Sequence, residues 1–245
     1  MAILLVGIGT YAESATSASN VTYPWPSGYT ATVDDIALIF QTGYSNNSGN
    51  LINTATGYTR FINQHWFWTT NTNLMCQTSY KVLNGTESAP ICTTSSSTSS
   101  GNGGTPTGYA GGFVAVYRFV AATTIPAQET PTSSNGTTNV RTPATTSLTP
   151  DAVTTTTPDA RVFSVVCSTQ DSSPALGTAN GFTRQRFSNS AVQQGSIAMA
   201  DYEKASPGAV TMPAWSGSSA VWVCLTFSLT ASSGGFCVPG ILNAF

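Results

Sequence analysis

Apolar positions in this chain come in short runs or strict alternation, and no segment repeats with the helical period. DDIALIFQT (34–42) is an apolar run bounded by acids on one side and a Gly/Asn/Ser stretch on the other. LMCQTSYKVL (74–83) alternates, with Met75, Gln77 and Ser79 on one parity and Leu74, Cys76, Thr78 and Tyr80 on the other, which is the period of a strand. GGFVAVYRFVAA (111–122) is a long strand introduced by glycines, and PDARVFSVVCST (158–169), GSIAMADYEKA (195–205) and SSAVWVCLTFSLTA (218–231) follow the same grammar. The segments between them are Thr-, Ser-, Asn- and Gly-rich, as turns and polar loops are; the longest is TTSSSTSSGNGGTPTG (93–108). The pattern predicts an all-β protein, an antiparallel, jelly-roll-like β-sandwich with long polar loops and almost no helix.

The grammar is written twice. GYTRFINQ (57–64) returns as GFTRQRFS (181–188), with Gly57 and Gly181 separated by 124 positions. Asp35 precedes Gly57 by 22 positions, and Asp159 precedes Gly181 by 22. TNLMCQTSYKV (72–82) is matched to GSIAMADYEKA (195–205), which sets Tyr80-Lys81 against Tyr202-Glu203-Lys204, and YPWPSGYTATVDD (23–35) is matched to LTPDAVTTTTPDA (148–160). Spacing held over several segments marks a duplication. The expected organisation is a first half over 1–122, an extended Thr/Pro-rich crossover over 123–147, a second half over 148–231 and an apolar C-terminal arm over 232–245. Between one sandwich and two tandem domains the reading favours one sandwich, each half giving strands to both sheets. Gly57 and Gly181 are expected to provide turns, with Tyr58 and Phe182 entering the core. Arg60 and Arg184 share the parity of those aromatics, so a β-bulge, or an Arg reaching to an acid or carbonyl, is predicted beside each.

Charge narrows the partners. Only 7% of residues are Asp, Glu, Lys or Arg and the net charge is −2, against about 25% charged in an ordinary globular protein. No basic patch exists to displace counterions, so nucleic acid is not an expected partner. No apolar run reaches the roughly 18 to 20 residues of a membrane span, and no membrane partner is expected. The opening MAILLVGIGTYAES has no Lys or Arg before its short apolar run, so it reads as a first strand rather than a signal peptide.

Candidate chemistry is sparse. The one histidine, His65, lies in FINQHWFWTT among aromatics, without a G-x-S-x-G elbow anywhere in the chain. Asp34/Asp35 sit at a turn into a strand, where Asp satisfies loop amides. Asp201 and Glu203 share one face of a strand but lack a third ligand at useful spacing. No catalytic residue, metal site or cofactor is predicted. Cys76, Cys92, Cys167, Cys224 and Cys237 show no metal-ligand spacing and read as buried thiols of a reduced compartment; a Cys167–Cys224 disulfide is the alternative if their strands face each other. Trp215 and Trp222 read as core. Trp66 and Trp68, two apart on a strand, would present both rings on one face and are the candidates for stacking on a glycan. Trp25, between Pro24 and Pro26, reads as a contact residue on a rigid exposed turn.

The succession GYTATVDDIALIF, GYTRFI, LMCQTSYKVLNGTESA, GGFVAVYRFV, then PDARVFSVV, GFTRQR, SIAMADYEKASPGAV, SSAVWVCLTFSL is similar to a two-part β-sandwich family of tailed bacteriophage virion proteins. In that family an acid introduces an apolar strand, a Gly-aromatic-Thr phrase follows, then a Tyr-Arg/Lys strand, then an apolar strand ending Tyr-Arg, which Tyr117-Arg118 matches. The loop at 93–108 and the tail SSGGFCVPGILNAF (232–245) depart from it. The resemblance implies a non-enzymatic virion component assembled in the host bacterial cytoplasm, foremost a capsid decoration or cement protein, alternatively a tail, fibre or baseplate part that binds host glycans. Its partners would be capsid or tail proteins of the same particle and further copies of itself. The contact candidates are Trp25 and, on the tail read as a docking arm, Phe236, Val238, Ile241, Leu242 and Phe245.

Overall fold

The computed structural model describes residues 2–14, 20–45, 53–69, 72–93, 108–120, 140–169, 173–178, 181–189 and 195–232. The first half supplies β1 (Leu4–Ile8), β2 (Ala12–Ser14), β3 (Asn20–Thr22), β4 (Ile36–Ser45), β5 (Thr59–Thr69), β6 (Thr72–Val82), β7 (Ile91–Thr93) and β8 (Gly108–Arg118). The second supplies β9 (Val140–Leu148), β10 (Val153–Thr155), β11 (Ala160–Ser168), β12 (Ala175–Leu176), β13 (Thr183–Asn189), β14 (Ser196–Lys204), β15 (Gly208–Val210) and β16 (Trp215–Leu229).

Each half builds one whole sheet. The first is ordered β1-β8-β4-β6-β5, with β2 continuing along β8; the second is ordered β12-β16-β11-β14-β13, with β9 also on β16. All pairings are antiparallel. The protein is thus an all-β sandwich of two similar halves, but strands are not shared between sheets as the sequence reading expected. The physical reason is locality, since near neighbours in the chain pair first and the duplicated unit completes its own ladder. What a half cannot do alone is bury its inner face. Residues 140–147, assigned to the crossover, belong instead to β9 on the margin of the second sheet.

The shared core lies between the sheets. Phe40 and Phe113 from the first meet Phe163 and Phe227 from the second, with Phe163 and Phe227 stacked at 4.6 Å and 7° and Phe40 within 6.3 Å of Phe227. Each sheet also has its outer face covered by a small ribbon of its own half. The β3–β7 ribbon closes a cluster around Val21, Tyr23, Ile39 and Met75, and the β10–β15 ribbon one around Val153, Val162, Val210 and Trp222. Strands buried on both faces need no polar alternation, which explains the continuous apolar runs in β4 and β11. Trp215 and Trp222 are fully buried as expected, and Trp215 Nε1 donates to Ser164 Oγ at 2.8 Å.

The duplication extends to backbone detail. Asp34 (φ 65°) and Asp159 (φ 57°) both turn the chain into the central strand, and Gly57 (φ 78°) and Gly181 (φ 73°) both precede the margin strand. Thr59 stands opposite Tyr80 and Thr183 opposite Asp201. The equivalent pairs are therefore Asp34 with Asp159 and Tyr80 with Asp201, each one residue away from the sequence match that set Asp35 and Tyr202 in those places. A register irregularity follows the Arg in both halves, between Arg60 and Ile62 and between Arg184 and Arg186. The parity conflict is resolved by a bulge, as predicted. Tyr58 and Phe182 enter the outer clusters.

Cys76, Cys92, Cys167 and Cys224 are buried thiols. Cys167 stands opposite Val223 and Cys224 opposite Val166 on adjacent strands. Cys167 faces the shared core and Cys224 the outer cluster, so the alternative disulfide is overturned by geometry: the two side chains leave opposite faces of one sheet.

Candidate functional site

The chemistry of the molecule concentrates at one end of the sandwich, where β8 and β16 both finish and Val120 forms an isolated bridge with Ala231. Consecutive residues Tyr117 and Arg118 point to opposite faces of the first sheet, and each reaches a buried acid. Tyr117, inside the sandwich, donates through Oη to Asp201 Oδ2 at 3.0 Å. Arg118, on the outer face, donates through Nε and Nη2 to Asp35 Oδ1 and Oδ2 at 2.6 and 2.7 Å.

Asp201 is 1% exposed and gathers donors from both sheets. Besides Tyr117 it accepts from Arg161 Nη2 at 2.8 Å and from Gln185 Nε2 at 2.8 Å. Gln185 is the bulge residue between Arg184 and Arg186, so the irregular backbone of β13 delivers one of the three donors. Arg161 also lies 3.7 Å from Glu203 Oε2, and Glu203 is largely exposed. Asp201 and Glu203 do share a face, with Arg161 bridging them. Burial first, and then the charge of Asp201, push the Tyr117 phenol well above its ordinary value, so Tyr117 remains a donor.

Asp35, also 1% exposed, adds Tyr29 Oη at 3.0 Å to its two bonds from Arg118. Burial, followed by the neighbouring Asp35, holds the Tyr29 phenol above its usual range. Trp25 packs edge-on against Tyr29, ring centres 5.6 Å apart. It is half-buried on the outer cluster rather than displayed on an exposed turn, and its Nε1 has no hydrogen-bond partner among the described residues. Pro24 and Pro26 fold over β1 so closely that a Cβ on Gly9 would fall onto the Pro24 carbonyl oxygen and one on Gly7 would lie 2.8 Å from Pro26 Cβ.

A second polar string runs under the β3–β7 ribbon. Gln77 Nε2 donates to Gln41 Oε1 at 2.8 Å, Gln41 Nε2 to Tyr23 Oη at 3.4 Å, and Arg60 Nη1 to Gln77 Oε1 at 3.5 Å. Burial pushes the Cys92 thiol up to about 12, leaving it a small apolar group beside this string.

Of the residues singled out from sequence, Trp66 stands opposite Leu74 and His65 opposite Met75 in β5, and Trp68 falls at a register irregularity of that strand; their side chains lie outside the described residues. Phe236, Val238, Ile241, Leu242 and Phe245 lie outside them altogether. Ser232 N is held by Phe119 O at 2.8 Å, at the same end as Asp35 and Asp201. Among the described residues no three His, Cys, Asp or Glu side chains are placed to hold a metal. Sequence reasoning passed over the Asp201 network and the Asp35–Arg118 pair. A signal existed: in a chain with 7% charged residues, Arg118, Arg161 and Asp201 each interrupt an apolar strand. Such charges are buried in pairs or not kept there. In comparisons with protein-family models, curated proteins and solved structures, nothing matches this chain.

Proposed function

We propose that this protein is a non-enzymatic structural component of a tailed-bacteriophage virion, a capsid decoration or cement protein that stabilises the particle through contacts between subunits. The observation that carries the reading is where the charges go. Asp35, Asp201, Arg118 and Arg161 are spent on tying the sandwich together, and each buried acid is saturated by donors of its own fold. What remains outside is a weakly charged surface of Ser- and Thr-rich loops with the apolar side chains Leu4, Val33 and Ile91 half-exposed or more. A rigid, nearly neutral body of this kind suits packing among neighbours, where an unpaired charge would be costly to bury. The acids act as clamps rather than as bases or ligands, and the partners are shell proteins of the same particle.

Copy number in purified particles tests this. Quantitative mass spectrometry is expected to find the protein at the abundance of a shell component. A tail-level abundance would move it to the tail or fibre, where Trp66 and Trp68 would be examined for glycan binding. Absence from particles would overturn the proposal. Removing residues 232–245 is expected to leave a folded sandwich that no longer binds expanded capsids.

A further inference from the structure

The two sheets end on equivalent strands, β5 and β13, and these two margins are built differently. β13 has seven residues, of which Arg184 and Arg186 are two. Charge on a short margin strand keeps foreign strands away. β5 runs for eleven residues, TRFINQHWFWT, with Arg60 its one charged residue at neutral pH and no Lys or Pro. Among the described residues no strand pairs with its second side. The duplication makes β13 an internal reference: the same position was protected in one half and left open, longer and more apolar in the other.

We infer that the open margin of β5 is completed by β5 of a second copy of this chain, the two strands running antiparallel about a two-fold axis at Gln64. The register follows from geometry. A two-fold perpendicular to the joined sheet keeps each face on its own side, while consecutive residues alternate between faces. A residue must therefore sit opposite itself at the axis, and a one-residue slip is forbidden. Placing Gln64 opposite Gln64 matches all eleven residues.

In that register the strand reads nearly alike from either end. Phe61 falls opposite Phe67, Asn63 opposite His65, and Arg60 opposite Trp68. The single cation never meets itself and takes a position across from an aromatic residue, a favourable pairing of types. The irregularities of the β5–β6 ladder lie between Arg60 and Ile62 and between Phe67 and Thr69, so the stretch from Ile62 to Phe67 around the axis is regular. A net charge of −2 opposes association little. The inference rests on fold and register, and stands whether or not the protein decorates a capsid.

Light scattering over a concentration series, with circular dichroism to verify folding, tests it on four chains. The full chain is expected at twice its chain mass. Asn63→Lys/His65→Lys sets Lys opposite Lys at both equivalent pairs and is expected to weaken the dimer by roughly tenfold or more. Asn63→Lys/His65→Glu alters the same positions but sets Lys opposite Glu, and is expected to remain dimeric. A chain ending at residue 232 is expected to stay dimeric as well. A monomeric full chain overturns the inference. So does equal behaviour of the two charge variants when both are folded, whether both are monomers or both dimers. Loss of the dimer on removing residues 233–245 would assign the margin to the tail instead.

Discussion

The 3.0 Å hydrogen bond from Tyr117 Oη to Asp201 Oδ2 links the last strand of the first half to a strand of the second. It converts two sheets that merely share an apolar interface into one body with a fixed relative position, because apolar packing alone is non-directional. The same carboxylate draws on Arg161 and Gln185 of its own sheet. Losing any one donor therefore leaves a buried charge less satisfied.

Tyr117→Phe is expected to destabilise the protein by about 1–3 kcal/mol, the usual consequence of removing one partner from a buried polar pair. Asp201→Asn is expected to be worse, about 3–5 kcal/mol, because Arg161, with 15% of its side chain exposed, is left without its buried counter-charge. Denaturant unfolding should show lower midpoints at unchanged slope. Equal stability of Tyr117→Phe and the parent would mean that the contact does not hold the sheets.

Much of this architecture was legible in the sequence, and the reasons for the gaps are specific. The apolar runs announced strands, and the repeated Gly-aromatic-Thr-Arg phrase announced both the duplication and the bulges after Arg60 and Arg184. Short phrases repeat with their neighbours, so they do not fix a register to the residue. Tyr80 was matched to Tyr202 by identity, whereas the ladders set it against Asp201. That single-residue slip hid the main polar site, since it turned a buried acid into a neighbour of solvent-facing Glu203. Nor does periodicity say which half a strand pairs with. The whole-sheet arrangement comes from long-range packing, with Phe40 meeting Phe163 and Phe227 across the interface.

Glycine positions separate two physical demands. At Gly57 and Gly181 the backbone is left-handed but a Cβ would meet only Lys81 at 3.6 Å or Tyr202 at 3.8 Å. Ala there is expected to cost about 1–2 kcal/mol of backbone strain, nearly additively, as the sites lie in different sheets. Gly9 has no such φ, yet a Cβ would strike the Pro24 carbonyl. Gly9→Ala is expected to cost more than either, through displacement of the Pro24-Trp25-Pro26 turn, and Trp25 fluorescence should report that shift. A Gly9→Ala chain with parental midpoint and emission would refute the close approach.

Acid sensitivity should be traceable to Glu87. Burial by itself would raise this carboxyl, but the amides of Asn84, Gly85 and Thr86 and the Lys81 ammonium at 3.3 Å outweigh it and hold the group below its ordinary value of 4.5. A depressed folded pKa means the unfolded chain binds the proton more tightly. The contribution is therefore complete above about pH 4.5 and is lost as pH falls through the lower folded value. Glu87→Gln is expected to be less stable than the parent at pH 7, with the gap closing as pH falls below 4.5. A gap that stayed constant down to pH 3 would show that the loop is held by shape and not by this charge.

The strongest expectation concerns the halves as separate chains. Residues 1–122 carry the strands of a whole sheet and its outer ribbon, so every backbone ladder of the first half is internal to it. On hydrogen-bonding grounds it could stand alone. Its inner face could not, because Ile36, Leu38, Phe40, Phe113 and Tyr117 are fully buried only against the second sheet. Leaving several such side chains in water costs roughly 1.5–3 kcal/mol each, which exceeds the whole stability of an ordinary domain. Each half expressed alone, 1–122 or 140–232, is expected to show strand content by circular dichroism, to bind a hydrophobic dye and to unfold without a cooperative transition. Mixed in equal amounts after co-refolding, the two should recover a cooperative transition and lose the dye. Should either half alone unfold cooperatively without binding dye, the protein would be two tandem domains that happen to touch, and the Tyr117–Asp201 bond would be an ornament of their contact rather than the fastening of a single sandwich.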